Sequence, residues 1–186
     1  GIDENSAKLA MGQFDKFLST ALYLADLETG KSSLLERGTR QTLSWMVDRE
    51  NNPLIRIDRD EDNNKINFFV KKNKWQFLIT LEDMWDIRWS LSENQDKLHI
   101  LGGKLDFSSV LSVSLAYGST ETSLFADMDR DASNFVNNRN DQILGVVYGG
   151  LKPYTRFIDA KVNSAFERLS KSFPGSELGY VSGEDS

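Results

Sequence analysis

Between Ser6 and Glu28 the apolar residues Ala7, Met11, Phe14, Leu18, Ala21 and Ala25 recur in steps of four and three, which places them on one stripe of a helix. The second half of this segment adds Phe17, Leu22, Tyr23, Leu24 and Leu27, spreading apolar surface round the cylinder. Thr29-Gly30-Lys31 supplies a stop, since glycine takes positive φ without steric cost. The pattern predicts an N-terminal helix that needs cover on more than one side.

After Gly38 the pattern changes. Short segments rich in β-branched and aromatic residues alternate with polar stretches rich in Asn and Asp, the punctuation of an antiparallel meander. Strands are expected at Thr39 to Val47, Leu54 to Asp58, Lys65 to Lys71, Trp75 to Leu81, Trp85 to Leu91 and Lys97 to Leu101. Past Gly102-Gly103, Leu105, Phe107, Leu111, Val113, Leu115 and Tyr117 keep to odd positions, which predicts a long strand or a bent pair with one buried face.

In the last third a helical period returns. Ala132, Phe135, Val136, Ile143, Val146 and Val147 fit one helical face, against the weak helix formers Asn134, Asn137, Asn138 and Asn140. Beyond Pro153, which suits a first helical turn, Tyr154, Phe157, Ile158, Val162, Ala165, Phe166, Leu169 and Phe173 hold a second stripe up to Pro174-Gly175. The expected fold is therefore α+β: an antiparallel, meander-like sheet of about six or seven strands flanked by the N-terminal helix and C-terminal helices. Residues 1–175 are expected to form a single domain, and 176–186 a flexible polar tail.

Composition supports a folded chain. Its 186 residues are 39% hydrophobic and 27% charged, enough apolar matter for a core and enough charge for solubility. No apolar run is long enough to span a membrane, and the N-terminus lacks the pattern of a signal peptide, so a cytoplasmic protein without membrane insertion is expected. The absence of cysteine excludes disulfides, thiol catalysis and thiolate metal sites, and a single histidine excludes multi-His centres. The net charge of -6 disfavours nucleic acid and anionic lipid as partners on average.

Candidate chemistry is sparse. Asp58, Asp60 and Asp62, and again Asp127, Asp129 and Asp131, have the spacing that opens a calcium loop, but Asn63 and Ala132 stand where such a loop needs Gly, and Phe69 and Asn138 where it needs Glu. A hairpin tip and an acidic helix entry account for them, and no metal site is expected. Glu82, Asp83 and Asp86 beside Trp85 and Trp89 read as a turn entering a strand. Asp159 and Lys161 point to different faces of a helix, and His99 has no nucleophile motif beside it. Gly145 to Gly150 lacks the Lys and Ser/Thr of a phosphate cradle.

With no complete catalytic set and no cofactor motif, the sequence reads as a non-enzymatic protein-binding or assembly domain: an adaptor, chaperone-like or structural subunit. Phe17, Leu22, Tyr23 and Leu24 would meet a protein partner or a second copy of the chain. The alternative is a single-stranded nucleic-acid binder in which Lys71, Lys72 and Lys74 track phosphates while Trp75 stacks on bases. A metal-dependent hydrolase using one of the Asp clusters is the third reading.

Overall fold

The computed structural model describes residues 2–3, 8–14, 20–82, 87–102, 110–122, 131–138, 143–176 and 178. Among these residues are fifteen strands and one helix. The fold is mostly β and falls into two compact units, residues 1–83 and 84–186.

The first unit holds two antiparallel sheets wound in chain order. One comprises β1 (Ile2–Asp3), β2 (Lys8–Phe14), β3 (Thr20–Asp26) and β4 (Ser32–Glu36). The other comprises β5 (Thr42–Val47), β6 (Pro53–Asp60), β7 (Lys65–Lys71) and β8 (Trp75–Glu82). Alternation is clear in β7: Ile66, Phe68 and Val70 are buried with Ile55, Ile57 and Leu78 of its neighbours, while Asn67, Phe69 and Lys71 lie on the other face. Asn and Asp turn chemistry closes the hairpins on either side of β6. Asp48 accepts hydrogen bonds from the backbone N–H groups of Glu50 and Asn52, and Asn51 and Asn64 take left-handed φ of 65° and 51°.

The second unit repeats the plan with β9 (Arg88–Leu91), β10 (Lys97–Leu101), β11 (Val110–Ser114) and β12 (Thr120–Thr122) in one sheet. A three-stranded sheet follows, made of β13 (Ala132–Asn137), β14 (Ile143–Tyr148) and β15 (Tyr154–Phe157). Leu101 and Val110 of the former pack with Ile143, Val146 and Tyr148 of the latter. The helix α1 (Ala160–Ser172) closes the described chain. The four sheets begin at Ile2, Thr42, Arg88 and Ala132, about every 40 to 46 residues.

This architecture corrects the α+β expectation. The segment expected to form an N-terminal helix contains β2 and β3, paired antiparallel from Lys8↔Asp26 to Phe14↔Thr20. The reason lies in β3, where the adjacent residues Ala21 and Leu22 are both buried. A strand covered on both faces has no period of two, and its apolar run imitates a wide helical stripe. The predicted helix over Ala132 to Val147 is likewise the hairpin β13–β14, with register shifts that absorb the Asn-rich stretch. Among the described residues only the last of the expected helices is found, and it starts at Ala160 because Tyr154 to Phe157 pair with β14 as a strand. The single sheet of six or seven strands is in fact four small sheets.

Candidate functional site

Three constellations of side chains merit a functional reading. The first is α1. Asp159 forms its N-cap, with Oδ1 accepting from the N–H groups of Lys161 at 2.7 Å and Val162 at 2.9 Å. The hydrogen bonds from Val162 and then Lys161 hold the Asp159 carboxyl below its ordinary pKa, opposed by desolvation and aided by the Lys161 charge. The helix is fastened to the preceding strand at two points. Asn163 Oδ1 accepts from the Phe157 N–H at 3.0 Å, and the Phe166 ring meets the Phe157 ring edge-on at 5.1 Å.

These fastenings leave the rest of the apolar stripe outside the core. Ile158, Val162, Leu169 and Phe173 remain 49%, 44%, 52% and 54% exposed, and no residue of α1 is buried. On the 3.6-residue period Lys161 and Arg168, both exposed, border one margin of the stripe, and Asn163 and Glu167 border the other. The sequence displayed this stripe, but an apolar helix face is ordinarily spent on the chain's own core.

The second constellation is the aromatic and cationic face of β5–β8. Trp45, Arg56, Phe69 and Phe77 stand in one cross-strand row, and Lys71 pairs with Trp75. The Arg56 guanidinium lies 4.5 Å from the Phe69 ring centroid and 5.4 Å from that of Trp75, while Lys71 Nζ lies 4.9 Å from Trp75. These cations are already neutralised. Arg56 grips Asp58 with Nε at 3.0 and 3.1 Å and Nη2 at 2.9 Å, and Lys71 pairs with Glu36 at 2.6 Å. Thr42 Oγ1 donates to Asp58 Oδ1 at 2.8 Å, and Trp45 Nε1 donates to the Thr20 carbonyl at 3.2 Å, so this face joins the two sheets of its unit.

The third is a buried polar row. His99 of β10 stands opposite Ser112 on one side and Ser90 on the other, and its Nδ1 lies 2.8 Å from Ser112 Oγ. Ser90 Oγ approaches Asn137 Oδ1 at 3.5 Å. Burial pushes the His99 pKa below its ordinary value, with Lys97 adding to the shift and Asp96 opposing it. His99 and Ser112 are 4% and 3% exposed, which closes this His–Ser pair to any substrate.

Of the residues expected to meet a protein partner, Leu22 is buried in β3 at 2% exposure, Tyr23 and Leu24 are half-buried, and Phe17 lies outside the described residues. Of those expected to meet nucleic acid, Lys71 and Trp75 are brought together as above, while Lys72 and Lys74 are exposed at the hairpin. Asp58 does not converge with Asp60: the first belongs to the Arg56 and Thr42 network, the second to its own turn through Asn63. Asp127 and Asp129, like Asp83, Trp85 and Asp86, lie outside the described residues. Among the described residues no group of three or more acidic or histidine side chains could hold a metal ion, and no helix is long and apolar enough to cross a membrane. No family model and no curated protein matches the chain.

Proposed function

We propose that the chain is a protein-binding or assembly module whose docking surface is the apolar face of α1. The observation that carries this reading is the exposed run of Val162 and Leu169 on a helix anchored at its start to β15, continued by Ile158 just before the helix and Phe173 at its C-cap. Full burial of such a side chain contributes roughly 1.5 to 3 kcal/mol, and with about half of each already covered a partner gains about 1 kcal/mol per residue. Four such residues supply a useful share of a micromolar interaction, which needs about 8 kcal/mol. The strand β15 is the support that holds α1 in place.

The aromatic face of β5–β8 supports a structural part in this scheme, since Arg56 and Lys71 spend their charge on Asp58 and Glu36. A phosphate would have to displace a carboxylate from each.

The test is binding of fluorescent amphipathic helical peptides to the whole chain, followed by anisotropy. Saturable binding that is lost in Leu169→Asp and Phe173→Asp, with the circular dichroism spectrum of each variant unchanged, is the expected outcome. Equal binding by wild type and both variants would overturn the assignment of the surface to α1.

A further inference from the structure

Exposed apolar stripes on helices differ in what lines their margins, and the margins of α1 are unequal. Lys161 and Arg168 lie seven residues apart, two turns along the same side, next to Leu169 and Ala165. Across the stripe stand Asn163 and Glu167, and these are occupied with each other, Asn163 Nδ2 donating to Glu167 Oε1 at 2.8 Å. Lys161 is near its own N-cap carboxylate at Asp159, and among the described residues no carboxylate lies within ion-pair distance of Arg168. The stripe is thus apolar along its crest, cationic on one border, and on the other carries the carboxylate of Glu167 held by the Asn163 amide.

We infer that the occupant of this face, taking the binding role proposed above as given, is a protein segment with an apolar ridge bordered by Asp or Glu. Carboxylates on its border would meet Lys161 and Arg168 as the ridge covers Val162, Leu169 and Phe173. A second copy of the chain fits less well. Two α1 stripes packed antiparallel about a two-fold axis bring border to like border, so Lys161 and Arg168 would face their own counterparts, and packed parallel they would set both cations against the single carboxylate of Glu167. An anionic membrane surface satisfies the cations equally well, yet α1 has only thirteen residues and lies fastened to β15 by Asn163 and Phe166.

The experiment uses two synthetic peptides that share every apolar position and differ only in carrying Glu or Lys at the bordering positions. The chain's net charge of -6 favours the Lys peptide at long range, so preference for the Glu peptide reports the local border of α1. Wild type is expected to bind the Glu peptide roughly tenfold more tightly than the Lys peptide at low ionic strength, the gap narrowing as salt is added. The double variant Lys161→Glu with Arg168→Glu should reverse that order. If both peptides bind wild type equally and both are lost in Leu169→Asp, the acidic border is wrong and the docking surface stands. If neither binds, while phosphatidylserine vesicles do so in a manner abolished by Leu169→Asp, a membrane is the occupant and the protein-binding reading falls too. Self-association abolished by Leu169→Asp would assign the face to a second copy and overturn the inference.

Discussion

His99 shows how one buried side chain ties pH to stability. Its ring sits between Ser90 and Ser112 in the middle of a four-stranded sheet, and burial lowers its pKa from the ordinary 6.5. Below pH 6.5 the unfolded chain gains a proton that the folded chain refuses until its own lower pKa is reached. Stability on this account is full above the unfolded pKa and falls as pH drops from there towards the folded pKa. Urea midpoints at about pH 8 and about pH 5.5 should therefore diverge more in wild type than in His99→Gln, by up to about 1.4 kcal/mol per pH unit. Identical pH dependence in the two proteins would show that His99 titrates alike in both states. The lone histidine was visible in the sequence, but its partners were not: Ser90 and Ser112 become its neighbours through strand register.

At the scale of elements, hairpins were easier to read than the identity of apolar runs. β7 and β10 have the boundaries that their alternation and turn residues predict, Lys65–Lys71 and Lys97–Leu101. β3 carries the pattern of a broad helix because Ala21 and Leu22 are buried on opposite faces, as in any strand covered on both sides. In β15, Tyr154 and Phe157 satisfy a helical spacing while Tyr148 stacks on Tyr154 at 4.7 Å across a strand pair. The true start of α1 is set by Asp159, whose two N-cap hydrogen bonds the sequence did permit. Asp159→Ala should lower the helical signal in circular dichroism at neutral pH. Because the Asp159 pKa is depressed, the cap's contribution is present above the ordinary carboxylate range and is lost as pH falls through the folded value. The difference between wild type and variant should accordingly vanish in strong acid. A difference that persists there would assign the effect to helix propensity instead.

At the scale of the molecule, what escaped the sequence was where one sheet ends and the next begins. An alternating pattern fixes which residues face inward but leaves open whether consecutive strands pair. Between β4 and β5 that choice is made by packing at Gly38, where a Cβ would come within 2.3 Å of the Thr20 carbonyl oxygen. Thr39 and Thr42 complete the corner, the Thr39 N–H donating to Thr42 Oγ1 at 2.8 Å. The chain can thus pass closely over β3 and open a new sheet. The candidate site was also half-legible: the stripe of α1 is plain in the sequence, whereas its exposure depends on which element covers it.

That exposure is the premise of the proposed function, and one measurement tests it directly: the equilibrium urea stability of Leu169→Asp against wild type. With Leu169 about half exposed and free for a partner, the substitution should change stability by less than about 1 kcal/mol, the range of surface replacements. A loss of about 3 kcal/mol or more, typical of a charge forced into a core, would mean that the chain itself covers the stripe and would contradict the account.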